Sequence, residues 1–287
     1  MKQAVFENRL QTVVQRAHPV RGFFGPESIT WHINRENVIY LSGMRALLLQ
    51  IAHPAVAEGV AHHSRFRQDP FGRAIRTFHT VHAIVFGTPD EALRAARRAF
   101  AIHARVQGRA FIGMEERAFV ATDDDLLLWV YATLVDSAML AYRLFLPDLP
   151  RRTWEQAYDE GKLVGMLFGL SPDAIPATLS DFEQYMHGML YGATLHVTPA
   201  AREIAQALQG GTWWLRLIAP LNRLVAAATL PKHLRDAFGL PWSPQRERAF
   251  RLFVATVRRA TPFMPPHVRY VPAARRAWKR VQAAERN

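Results

Sequence analysis

Residues 126–145 read LLLWVYATLVDSAMLAYRLF. The run is apolar on every side of a 3.6-residue turn, which is the pattern of a helix enclosed by others. Asp123, Asp124 and Asp125 precede it, as the helix macrodipole favours, and Pro147 and Pro150 end it. Asp136 follows ten apolar or weakly polar residues, so the run falls short of the roughly 18 apolar residues a membrane span needs. The spacing puts Trp129, Thr133, Asp136 and Leu140 on one face. A carboxylate there must be paired if buried. Two readings stay open for Asp136: a core residue bridged to an arginine, or a supporting residue near a site.

Working outward, apolar residues recur at three- and four-residue intervals through most of the chain. A helix is expected over 42–63, with Pro54 kinking or breaking it. Asp69-Pro70 reads as the start of a helix that runs to Phe86 and stops at Gly87. Pro89-Asp90-Glu91 opens another, expected to end at Gly108. Further helices are expected at 151–169, 180–190, 198–209, 213–228, 231–237, 244–260 and 272–284. The segment 115–122 is the one candidate hairpin arm. There is no fixed-period repeat and no low-complexity linker. The fold class is therefore all-α, a single multi-helix domain over 1–287.

The 287 residues, 49% hydrophobic, suffice for a substantial core without disulfides or structural metals. Zero cysteines exclude disulfide scaffolds, cysteine-held zinc, iron–sulfur clusters, thiol nucleophiles and covalently attached c-type haem. The first residues carry no apolar run of signal-peptide length, so the expected location is the cytoplasm. Net charge is +12, and residues 243–287 hold 11 Arg/Lys against Glu247 and Glu285. The plain reading of that segment is a solvated basic tail. Contact with an anionic membrane, nucleic acid or an acidic partner is the alternative. Specific nucleic-acid binding is not expected, because no helix-turn-helix or interleaved aromatic platform is present.

There is no GxGxxG, P-loop, GxSxG or HExxH, which removes the main support for phosphate-cradling, acyl-transfer and zinc-protease chemistry. The E-x-x-H pairs of carboxylate-bridged di-iron bundles are missing too. Glu58/His62 and Glu183/His187 stand at i, i+4 and read as surface pairs. What remains is histidine, 12 in all. His79 and His82 lie at i, i+3 on one helix, too few for a metal site unaided. His53 precedes Pro54 inside an apolar stretch, and His103 lies deep in another helix. A lone helical histidine is more often structural than a ligand.

Five stretches taken in order carry a resemblance: ALLLQIAHPAVAEGVAHHSRF (46–66), DPFGRAIRTFHTVHAIVFGT (69–88), HARVQG (103–108), LLLWVYATLVDSAMLAY (126–142) and LPKHLRDAFGLPW (230–242). Their order and spacing resemble the MpaB/rubber-oxygenase catalytic domain, which includes the latex clearing proteins, over roughly 35–245. The resemblance implies an all-α fold around a buried b-type haem. It also implies an oxygenase that acts with O2 on a small hydrophobic, isoprenoid-like substrate, cleaving a carbon–carbon double bond or carrying out a related oxidation. A haem-binding carrier or sensor without turnover is the alternative, and a basic helical binding module a weaker one.

Residue by residue, the family's proximal haem histidine falls on His103, the metal ligand. The R-x-x-K-T motif of rubber-cleaving members falls on Arg73, Arg76 and Thr77. In those members the lysine can cap the iron. Arg76 stays protonated and cannot serve as a neutral nitrogen ligand. It and Arg73 are instead expected to pair with haem propionates or organise the pocket. Where many members read W-V-H-A-T, this chain has Trp129-Val130-Tyr131-Ala132-Thr133, so Tyr131 keeps a hydrogen-bonding tip but loses imidazole chemistry. Tyr131, Thr133 and His53 are further cofactor-binding positions. The catalytic candidates are Glu58, as a base, with Arg76 and Thr77.

Overall fold

The computed structural model describes residues 2–63, 70–113, 115–208 and 213–286, with the side chains of 70–75 and 213–218 outside the description. Fifteen helices follow one another among these residues: α1 (Lys2–Val14), α2 (Ile29–Asn34), α3 (Gly43–Ala52), α4 (Pro54–His63), α5 (Pro70–Phe86), α6 (Pro89–His103), α7 (Asp124–Phe145), α8 (Arg151–Leu167), α9 (Leu179–Tyr191), α10 (Pro199–Ala207), α11 (Trp213–Thr229), α12 (Lys232–Ala237), α13 (Pro244–Ala260), α14 (Pro266–Arg269) and α15 (Pro272–Glu285). A short 3-10 helix spans Asn37–Ser42. The one sheet among them is an antiparallel hairpin, β1 (Gln107–Ile112) on β2 (Glu115–Val120), with Gln107 opposite Val120. The fold is all-α.

The helix boundaries follow local chemistry. Pro54 forces the residue before it out of the helical region. His53 is accordingly extended, with φ −81° and ψ 120°, and separates α3 from α4. Thr88 and Glu91 form a reciprocal cap at the start of α6, with Thr88 N–H donating to Glu91 Oε2 at 2.8 Å. One boundary differs from the sequence reading. The helix from Pro89 stops at His103, not Gly108, because Gln107 to Ile112 pair with the expected hairpin arm. Cross-strand pairing outcompetes helical continuation there; only one arm of the hairpin is visible in the periodicity.

The 126–145 run is the centre of the molecule. α7 is packed by α3, α8, α9, α13 and the 37–42 turn. Contrary to the sequence reading, the whole helix has the length and mean hydropathy of a membrane span, because the apolar residues beyond Asp136 extend the run; 56% of that window is buried inside the protein. Trp129 is fully buried and donates Nε1–H to Leu49 O at 3.1 Å. Asp136 is resolved in favour of the arginine bridge. Its Oδ2 lies 2.6 Å from Arg45 Nη1, an ionic contact outside hydrogen-bond angles. Arg45, 4% exposed, also donates to Ser137 Oγ at 2.7 Å and to Thr229 O at 3.2 Å.

The basic C-terminal segment is docked. Glu36 is buried and accepts both arms of Arg269, at 2.9 and 3.0 Å. Val271 N–H donates to Arg35 O. α15 buries Ala274, Ala277 and Val281, and Arg280 Nη2 donates to Phe86 O at the C-terminal end of α5 at 2.7 Å. The outward face of α13 keeps the character of a basic surface. Arg248, Arg251, Arg258 and Arg259 are exposed there and make none of the ion pairs found among the described residues.

Candidate functional site

The expected catalytic and metal-binding residues sit on three elements, α4, α5 and α6. α5 and α6 pack on each other across the short Gly87-Thr88 connection. His103 is the last residue of α6, half-buried, one turn beyond Phe100. Val106, three residues on, packs against α4 so closely that a Cβ on Gly59 would meet its Cγ1 at 3.0 Å. Glu58 precedes that glycine. Thus the loop after α6 touches α4, which carries Glu58, and α6 itself packs on α5, which carries Thr77 and Arg76. Thr77 is half-buried and Arg76 exposed. Arg73 falls among the residues whose side chains lie outside the description.

The other cofactor positions do not lie together. Tyr131 and Thr133 face opposite sides of α7. Thr133 Oγ1 accepts Gln50 Nε2–H at 3.1 Å, on the α3 side, and donates to Val130 O. Tyr131 faces α8, with its ring 3.4 Å from where a Cβ on Gly165 would stand. Both side chains cannot line one face of a planar group. His53 is buried at the α3–α4 break. Burial, partly offset by Asp125 and reinforced by His196, lowers its pKa to about 4, so the ring is neutral. Glu58 Oε2 lies 3.2 Å from Nε2 of exposed His62, the expected surface pair. Glu183 pairs instead with Arg151 at 2.8 Å, and His187 lies against the Tyr191 ring. His82 is also structural: its Nε2 meets Tyr40 Oη at 2.5 Å, and burial lowers its pKa to about 4.

A cavity opens beside these elements, between α2, α5, α7 and α8. Its volume is about 90 Å³, and it is partly open to solvent. The wall includes Ile33, Val81, Val85, Leu134, Met139 and Phe168, and no lining residue carries a charge. Val81 and Val85 lie one and two turns beyond Thr77 on α5, so one helical stripe joins the cavity to Thr77. Tyr131 is the one expected site residue in the wall. Thr30, Tyr158, Gly161 and Phe168 were missed by sequence reasoning. A signal for them existed: Ala157, Gly161 and Gly165 recur at i, i+4, i+8, a strip of small residues on α8 that leaves room against a neighbour.

Among the described residues no three His, Cys, Asp or Glu side chains are grouped to hold a metal ion. A haem asks less of the protein, since its pyrrole nitrogens supply four ligands and a single imidazole can complete the attachment. His103, the half-buried last residue of α6, offers one such imidazole, and the Arg76 guanidinium is of the type that binds carboxylates.

An all-α protein with a neutral apolar cavity between packed helices is the class the fold and site define. Residues 30–259 match the family model described as "ER-bound oxygenase mpaB/B'/Rubber oxygenase, catalytic domain", and the chain belongs to that family. Searches of curated proteins and of solved structures returned no match.

Proposed function

We propose that the protein is a haem b-dependent oxygenase that uses O2 to oxidise a small hydrophobic substrate of isoprenoid character, at a carbon–carbon double bond. The family is that of an oxygenase catalytic domain. The observation that carries the finer reading is the uncharged, apolar cavity sharing one stripe of α5 with Thr77. His103 would hold the haem iron, and Arg76 would pair with a propionate. The haem would supply the redox chemistry that activates O2. The chain's own contribution is positional. Val81, Val85, Leu134 and Phe168 exclude water and hold an apolar chain, and such positioning supplies much of an enzyme's rate. Glu58, on α4 next to the Gly59–Val106 contact, would serve as the base.

The test is oxygen uptake by haem-loaded protein presented with isoprenoid alkenes. The reading expects alkene-dependent uptake with carbonyl products. Haem-loaded protein that consumes no oxygen with any alkene overturns the oxygenase and favours a carrier or sensor.

Peripheral contact with an anionic membrane, where apolar substrates partition, belongs to the same proposal. Leu252 is 70% exposed among the unpaired arginines of α13, and Phe263, just beyond it, is 88% exposed. Apolar tips among cations are what an interfacial surface requires. Flotation with vesicles containing anionic lipid is expected, and is expected to fail with neutral vesicles or when Arg251, Arg258 and Arg259 are replaced by glutamate. Equal flotation of that triple variant would refute the contact.

A further inference from the structure

Buried polar groups nearly always have a partner, so each exception asks for an explanation. Two of the exceptions here belong to the wall of one cavity. Thr30 Oγ1 and Tyr131 Oη are both buried and neither makes a hydrogen bond. Thr30 is 4% and Tyr131 3% exposed. The other polar side chains of the wall are occupied. Asn34 Nδ2 donates to Thr30 O at 2.9 Å, and Tyr158 Oη donates to Pro176 O at 2.7 Å.

Both residues approach the same turn of α8. Thr30 N–H donates to Glu160 Oε2 at 2.8 Å, which holds the start of α2 against α8 at the residue before Gly161. Tyr131 Oη lies 3.6 Å from where a Cβ on Gly161 would be, so Gly161 is the floor beside the phenol. Burial holds the Tyr131 phenol far above its usual range, so it is a neutral donor at any physiological pH. The wall has no charge to offset an ionised ligand.

We infer that this cavity binds a slender neutral apolar molecule that ends in one oxygen function, a carbonyl or hydroxyl, and that Thr30 and Tyr131 hydrogen-bond that oxygen. The apolar wall takes the chain and the hydroxyl pair fixes which end enters first. Without ligand both hydroxyls stay unsatisfied, and a ligand oxygen relieves both at once. A site built to bond a substrate oxygen discriminates strongly against the analogue that lacks it. The inference rests on the oxygenase reading for calling this molecule the substrate; the binding itself does not depend on it.

The test uses an isosteric pair, 2-octanone and 2-methyl-1-octene, titrated into the full-length protein as purified and followed by ligand-observed NMR. The ketone is expected to bind at least tenfold more tightly than the alkene, and octanoate not to bind. Tyr131→Phe and Thr30→Val are each expected to weaken the ketone by about tenfold, equivalent to about 1.4 kcal/mol, and to leave the alkene unchanged. Gly161→Leu, which fills the floor, is expected to abolish both. Equal affinity for the pair, or a ketone preference that survives Tyr131→Phe, Thr30→Val and Gly161→Leu, overturns the inference. Haem content and oxygen uptake are measured on the same preparations. Ketone preference in a haem-free, inactive protein overturns the oxygenase alone; haem and turnover without ketone preference overturn the anchor alone.

Discussion

Replacing Tyr131 by phenylalanine is expected to make the protein more stable, the opposite of the usual effect of a core substitution. The ring keeps its shape, so packing against Gly165 and the α8 face is preserved and no cavity is created. What is lost is one hydroxyl oxygen, buried and without a partner. An unsatisfied buried hydroxyl costs about 1–3 kcal/mol, and removing it returns that amount. Unfolding entropy is about 2.1 cal/mol/K per residue, so for 287 residues the slope is about 0.6 kcal/mol per degree. The expected rise in Tm is therefore about 2–5 °C. The assay is thermal unfolding followed by far-ultraviolet circular dichroism, on delipidated protein at pH 7.5. A Tm lowered by more than a degree would show that the hydroxyl already has a partner, and would refute the reasoning together with the ligand anchor built on it.

Stability is also expected to fall with acid over a defined range. His53 and His82 have folded pKa values of about 4, against an unfolded value of about 6.5. The unfolded chain therefore binds more protons between these values, so stability is complete above about pH 6.5 and is lost as pH falls toward 4. Urea unfolding at stepped pH should show the decline, and His53→Leu should remove about half of its slope; an unchanged slope contradicts the assignment. Arg45→Met should cost about 3 kcal/mol, because it leaves Asp136, Ser137 Oγ and Thr229 O without their shared donor. Asp136→Asn, at a half-exposed position, should cost less. A larger loss in the asparagine variant than in Arg45→Met would show that the carboxylate, not the arginine, organises this part of the core.

Most helices were legible because their signals are local; α1, α2 and α14 were not read from the sequence. Periodicity, Pro54, Pro89 and Gly87 set most boundaries within a residue or two. The β1 arm was not, because its partner lies across a turn and 103–108 scans equally well as the end of a helix. The docking of α15 was illegible for the same kind of reason: its anchors, Glu36 to Arg269 and Arg280 to Phe86 O, join residues about two hundred positions apart. At the site, sequence order placed Thr77 and His103 on α5 and α6, which pack on each other, and Glu58 on α4, which packs on β1. It also grouped Tyr131 with Thr133, which α7 separates, because residues two apart on a helix point in different directions. The cavity wall escaped notice since Thr30 and Gly161 carry no motif; only the small-residue strip on α8 marked it.

The central claim is that His103 anchors a haem. It is tested most directly by a pyridine haemochrome assay on the wild-type protein and on His103→Ala, both produced with ample haem. The account predicts a b-type spectrum near one haem per chain for the wild type, and loss of stoichiometric haem in the variant with its helical circular dichroism intact. Full haem retention in His103→Ala, or a wild-type protein that takes up no haem on reconstitution, would contradict it.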